Sequence, residues 1–375
     1  MPELLKNRYK KAYIAKLAKE INSHANNFSK DDFLKSVLNK DWEHKELKAR
    51  MSHISDNIYQ YLNQDYKKTV PILCKIAPEF DGFEGMFAPH LIQTYGLDHW
   101  DLSIKALAQI TPHASAEFAV REFIKKDKKN MMQQMLVWSK HPNEHLRRLA
   151  SEGCRPRLPW ACALPEFRNN PRDILPILEQ LKSDQSLYVR KSVANNINDI
   201  SKDNPEIALD LIRLWHSDFT GENNEFTDWI LKHGARTLLK SGNKTALHLF
   251  KLHKPRHVYI NDFICDKQVS IGKDLAFSFT LNSKTSSLGK LRIEYRIGYR
   301  KASGNLRYKI FKVSEKEYSS IKQQFKSNQS FKQMTTRMHY PGHHTLAIIV
   351  NGENLIETSF TVKNKAPKKA LAPYY

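Results

Sequence analysis

The chain has 375 residues, 41% of them hydrophobic and 26% charged, which excludes a broadly disordered polymer and leaves room for two cores. Sixty Lys and Arg against 39 Asp and Glu give a formal net charge of +21, a surplus that points to a polyanionic partner, most commonly nucleic acid. Four cysteines without a Cys-x-x-Cys pair exclude a disulfide scaffold and fit reduced thiols in a cytoplasmic protein, and no apolar run approaches the roughly eighteen residues of a membrane span.

In chain order, Leu4, Tyr13, Leu17 and Ile21 predict an amphipathic helix where a secretory leader would carry an apolar core. Apolar residues recur three and four apart up to about residue 255, broken at Pro, Gly, Asn and Asp, which predicts a helical domain over 1–255. Within it HPNEHLRRLASEG from His141 aligns with DQSLYVRKSVANN from Asp184 at an offset of 43 residues, and a looser copy begins near Leu231. That period belongs to HEAT-like helical repeats, which most often serve as binding scaffolds.

On the helix predicted over 187–201, Val189, Val193, Ile197 and Ile200 share a core face, while Lys191, Asn195 and Asp199 lie four apart on the other side. In the preceding repeat Arg148 and Glu152 match Lys191 and Asn195. Stacked side by side, such helices would place cations for phosphates and carboxylates on one surface. The plainer reading is a set of ordinary i, i+4 pairs on a solvated face, with Arg147 and Arg190 as structural arginines between repeats. Between the two helices Arg155, Arg157 and Trp160 stand in a loop whose prolines forbid continued helix. A basic loop that carries an aromatic beside a carboxylate suits nucleic acid; Trp160 would equally serve as a packing residue.

After about residue 262 the period becomes two. Leu275 to Leu281, Leu291 to Tyr299 and Leu346 to Val350 alternate, and Asn351-Gly352 marks a hairpin. These strands predict an immunoglobulin-like β-sandwich over 262–363, followed by a basic tail over 364–375. Its cations, Arg292, Arg296, Arg300, Arg307, Lys309, Lys312 and Lys363, with Lys365, Lys368 and Lys369 of the tail, suit phosphates or merely protect strand edges.

SAEFAVREFI from Ser115, RRLASEGCRPRLPWA from Arg147, YVRKSVANNINDISKDNP from Tyr188 and ARTLLK from Ala235 span about residues 80–250. Together they resemble the bacterial DNA-alkylation-repair glycosylases of the AlkC type, relatives of the AlkD family. The sandwich is similar to the immunoglobulin-like domain that a subset of AlkC-type proteins carries. The resemblance implies a monofunctional N-glycosylase acting on double-stranded DNA. Its substrates would be bases made cationic by alkylation, such as 3-methyladenine, 3-methylcytosine and 1-methyladenine, recognised without insertion into a deep pocket. The family's site residues fall on Glu117, Glu152, Trp160 and Asp199; Glu117 enters through the resemblance alone.

A cationic base is already a good leaving group, so the chemistry needs a carboxylate near the sugar, to stabilise an oxocarbenium-like charge and to position water. Asp199 is the first choice, Glu152 the second, and Glu117 supports them. Trp160 would face the sugar or lesion. Arg148, Arg155, Arg157, Lys191 and Asn195 are the expected DNA contacts. No cofactor is expected. Pro142 puts His141 out of helical step with His145, and no carboxylate completes a metal set there; a Gly-rich phosphate loop is absent. A monomer is expected. The rival is a non-catalytic helical-repeat scaffold that binds nucleic acid or protein.

Overall fold

Three-and-four spacing of apolar residues becomes helix, and alternation becomes strand, in the computed structural model, which describes residues 4–217, 224–334 and 337–364. The chain divides into two compact units, Met1–Ala235 and Arg236–Tyr375. The first runs α1 (Lys11–Asn22), α2 (Lys30–Val37), α3 (Leu47–Tyr61), α4 (Tyr66–Ile76), α5 (Phe87–Tyr95), α6 (Trp100–Ile110), α7 (Ala119–Lys126), α8 (Lys128–Trp138), α9 (Glu144–Gly153), α10 (Pro165–Asn169), α11 (Leu175–Gln180), α12 (Leu187–Asp203), α13 (Pro205–Ser217) and α14 (Asn224–Gly234). Helix α3 packs on α5 and α5 on α7; α9 packs on α12 and α12 on α14. Helices α4, α6, α8 and α13 pack as second members of these pairs, the layered arrangement of a helical repeat. None of the described helices is long and apolar enough to cross a membrane.

The 43-residue repeat appears in the hydrogen bonds. Arg147 donates through Nη1 to the carbonyls of His141 and Pro142 at 3.0 and 2.7 Å. Arg190 donates through Nη1 to the carbonyls of Asp184 and Gln185 at 2.8 and 2.7 Å. Each arginine therefore closes the turn that enters its own helix, and Arg147 also grips Asp184 of the next repeat with Nε and Nη2, at 2.6 and 3.1 Å. The structural reading of these two arginines is the one observed. The third copy keeps the apolar register, with Leu231 fully buried, but its helix stops at Gly234. A Cβ there would meet Ile197 Cγ2 at 3.0 Å, so the glycine lets α14 close onto α12.

The second unit opens with α15 (Arg236–Lys240) and α16 (Lys244–Leu249) and continues through β1 (Val258–Cys265), β2 (Gln268–Ser270), β3 (Asp274–Ser283), β4 (Gly289–Arg300), β5 (Leu306–Tyr318), β6 (Lys322–Ser330), β7 (Gly342–Val350) and β8 (Glu353–Lys363). One sheet has the order β1-β3-β6, the other β2-β8-β7-β4-β5. All pairs are antiparallel except β2 with β8. The alternating residues Leu275, Phe277, Phe279 and Leu281 of β3 meet Leu291, Ile293, Ile297, Leu346 and Ile348 in one core. Asn351 and Gly352 take φ of 47° and 80°, the left-handed pair that a two-residue hairpin requires. Of the tail, residues from 365 onward lie outside the described residues.

Helices α15 and α16 are helical as their period implies, yet they pack with the sandwich. A Cβ on Gly352 would lie 2.7 Å from Leu247 Cδ1 and 3.2 Å from Gly242 Cα. The Asn351 side chain donates to the carbonyl of His253 at 2.7 Å. One expectation about the sandwich is corrected. Arg292, placed by strand alternation on a phosphate-facing side, is 4% exposed. Its guanidinium donates to Glu294 at 2.6 Å and to Glu315, because a buried charge needs a paired partner.

Inside the sandwich, His339 and His344 are buried against Phe331, Tyr299 and Phe360. Burial lowers the pKa of both imidazoles; Arg337 and His344 lower that of His339 further, and His343 and Arg300 that of His344. The unfolded chain takes these protons near pH ~6.5, where the folded unit still excludes them. More protons bound in the unfolded state means stability that is full above that pH and falls as pH drops through and below it. The melting temperature of the full chain is therefore expected to fall between about pH 7.5 and 5.5. His344→Phe, apolar and close in size, should flatten that fall in calorimetry. A pH dependence identical in the variant would show that His344 does not contribute to it.

Candidate active site

Helix α9 starts at Asn143, whose side chain accepts from the His145 amide at 2.8 Å, and stops at Gly153. A Cβ on Gly153 would lie 2.4 Å from Val120 Cγ2, so only glycine lets α9 end this close to α7. A buried polar seam sets α9 against α12. Ser151 Oγ donates to Ser192 Oγ at 2.7 Å, and Asn196 Nδ2 donates to the Ser151 carbonyl at 2.8 Å. Glu152 stands beside this seam. After Gly153 the chain leaves the helix and crosses over the C-terminal end of α12 as the loop that carries Arg155, Arg157 and Trp160.

Glu117, Glu152 and Asp199 are brought into one row by two arginines. Arg148 Nη1 donates to Glu117 and, at 2.8 Å, to Ser115 Oγ; its Nη2 lies 3.5 Å from Glu152 Oε1. Arg155 Nη1 donates to Glu152 Oε1 at 2.6 Å, and its Nε donates to Asp199 Oδ2 at 2.9 Å. Lys202 Nζ ends the row on Asp199 Oδ1 at 2.9 Å. Three carboxylates thus face two guanidinium groups and one ammonium, and their charges balance. The Asp199 side chain is 2% exposed, that of Glu152 7% and that of Glu117 16%. Burial alone would lower the pKa of Arg148 and Arg155. The carboxylates of Glu117 and Glu152 around the first, and of Glu152 and Asp199 around the second, outweigh it and raise both, so both stay charged.

The expected DNA contacts separate accordingly. Arg148 and Arg155 are not free for phosphate: at these distances, in a partly dehydrated site, the carboxylates hold them. Arg157 pairs with Asp203 through Nε at 2.7 Å and Nη2 at 2.5 Å but remains exposed. Lys191 is exposed and Asn195 half-buried. Trp160 is 60% exposed, which sets aside the packing reading. Its φ is 65° and its ring meets Phe83 edge-on at 6.0 Å. Sequence reasoning missed Lys202, whose signal was its i, i+3 spacing from Asp199, and Arg121, an arginine on the apolar face of α7. Among the described residues no three His, Cys, Asp or Glu side chains form a metal-holding group.

Residues 87–249 match the family described as DNA alkylation repair enzyme. Residues 260–364 match the C-terminal Ig-like domain described for the uncharacterised protein YhaZ. YhaZ of Bacillus subtilis (strain 168) is 44% identical over 358 residues, covering 93% of this chain and 96% of the relative. The structure of Pseudomonas fluorescens alkylpurine DNA glycosylase AlkC, bound to DNA containing an abasic site analog, superimposes with a TM-score of 0.90. It is 36% identical and covers 96% of this chain and 100% of its own. The chain belongs to the DNA alkylation repair family, in the AlkC-like form that carries a YhaZ-type Ig-like domain.

Proposed function

We propose that the protein is a monofunctional DNA glycosylase that hydrolyses the N-glycosidic bond of cationic alkylated bases, of the 3-methyladenine, 3-methylcytosine and 1-methyladenine class, in double-stranded DNA. The observation that carries the reading is the row of three carboxylates, Glu152 and Asp199 buried and Glu117 half-buried, next to a loop that presents an exposed Trp160. The base leaves as a neutral molecule and takes the bonding pair with it. Asp199 and Glu152 stabilise the cationic sugar left behind, and a carboxylate accepts the proton of the water that adds to it. Trp160 faces the lesion, where the positive charge lies against the indole. Lys202, whose side chain is 37% exposed, is drawn off by phosphate, which uncovers Asp199 Oδ1.

Arg157, Lys191 and Asn195 remain the helical unit's candidates for the backbone. The sandwich adds a second basic surface. Arg300, Arg307, Lys309 and Arg337 line a cavity of about 710 Å³ together with Tyr299 and Tyr308. Burial, and then the charges of Arg337, Lys240 and Arg307, lower the Lys309 pKa, a mutual repulsion that a phosphate would relieve. A non-catalytic scaffold has no use for the carboxylate row, since carboxylates oppose phosphate binding.

The test is incubation with methylated duplex, read as free base and as alkali-labile abasic sites. 3-Methyladenine is expected to be released at least about 100-fold faster than uracil, a poor leaving group whose departure needs an acid that the row does not supply. Equal rates on the two would contradict the cationic-base reading, and no release from either would leave the scaffold reading standing.

A further inference from the structure

The loop from Cys154 to Leu164 carries Arg155 and Trp160 but has no regular secondary structure. Its shape is held from outside. Arg121 of α7 is fully buried. Its Nη1 donates to the carbonyls of Gly153 and Arg155, both at 2.8 Å, and its Nε and Nη2 donate to the Cys162 carbonyl at 2.9 and 2.7 Å. One guanidinium thus pins both ends of the loop. Between those ends Trp160 sits at φ 65°, a left-handed conformation that bulky side chains rarely adopt and that persists only where the surroundings over-determine it. The second constraint falls on that residue. Lys48, in the first turn of α3, donates from Nζ to the Trp160 carbonyl, and its ammonium lies 5.2 Å from the centre of the Phe118 ring.

We propose that Arg121 and Lys48 are positioning residues that lock Trp160 in its left-handed, solvent-presenting conformation before DNA arrives. The indole then meets the lesion without first ordering its loop, and the ordering cost at binding is removed. The inference rests on the reading of Trp160 as a site residue and adds residues that touch neither substrate nor the carboxylate row. It also explains why the carbonyls before and after a strained, exposed tryptophan are held by one cation, Arg121, and its own carbonyl by another, Lys48.

The test uses the full chain. Lys48 is exposed, so Lys48→Met removes the donor while keeping the stem and the fold. Two readouts apply: amide hydrogen exchange over residues 154–162 in the free protein, and single-turnover base release with and without Trp160→Ala. Lys48→Met is expected to speed exchange in the loop and to slow base release, by up to about 100-fold, with an unchanged melting temperature, the scale of a misplaced contact. In the Trp160→Ala background it should slow release no further, because the two residues act as one unit. Lys48→Arg should restore both readouts, and Arg121→Lys should speed exchange more than Lys48→Met does. Unchanged exchange in Lys48→Met, or a rate loss that simply adds to that of Trp160→Ala, overturns the proposal. If Trp160→Ala itself releases base normally, the role given to Trp160 fails, while exchange still judges the tether.

Discussion

Asp199→Asn is expected to release methylated base at least about 100-fold more slowly than the parent protein, the scale of losing one preorganised electrostatic stabiliser. The substitution keeps shape and removes charge. Arg155 then keeps Glu152 as its partner at 2.6 Å, so the loop stays docked and affinity for a duplex with an abasic analogue should change little. Glu152→Gln is expected to act on the same scale. Because both carboxylates share Arg155, the double variant should lose less than the product of the two. The measurement is single-turnover base release at saturating protein, paired with the affinity for the analogue. A variant with a near-normal rate is thereby removed from the catalytic set.

Replacing Arg300, Arg307, Lys309 and Arg337 by Gln in the full chain should weaken lesion-duplex binding at least about tenfold at ~0.15 M salt. It should also make the slope of log affinity against log salt shallower by about three to four, since each lost phosphate contact is worth about 0.9. These residues belong to the second unit and lie in one cavity. No member of the carboxylate row is among them, so base release at saturating protein should be unchanged. Titrations of parent and variant at several salt concentrations decide the matter. An unchanged slope with unchanged affinity would leave the sandwich without a role in DNA binding.

The parts of the molecule that depend on periodicity were readable in advance. The two periods, the Asn351-Gly352 hairpin and the paired Arg147 and Arg190 follow from local spacing, and spacing survives folding. The helical wheel also put Glu152 and Asp199 on related faces. It did not show that Asp199 would be buried, because the cover comes from Arg155, 44 residues earlier in the chain. Charge type is visible in a sequence, but the partner of a charge is not. Arg148 and Arg155 read as phosphate ligands for that reason, although three carboxylates hold them. Arg292 read as exposed because strand alternation does not show the two carboxylates, Glu294 and Glu315, that pair with it. Arg121 stood out as an arginine among apolar neighbours, but its four bonds to one loop could be seen only once the loop had closed.

The two helices that frame the row are unequal. Under the 43-residue offset Gly153 of α9 falls on Asn196, so residues 197–203 of α12 have no counterpart in its neighbour. Asp199 lies in that unmatched stretch, and the irregular loop fills the space where two further turns of α9 would have run. In a stack of identical units every polar residue at an interface meets the same neighbour, and no position is chemically distinct. A missing segment acts like a vacancy in a crystal lattice: it lowers the local symmetry and leaves groups whose neighbours are supplied by something other than the repeat. The carboxylate row is then a property of the defect, and the regular units on either side serve to hold its edges apart.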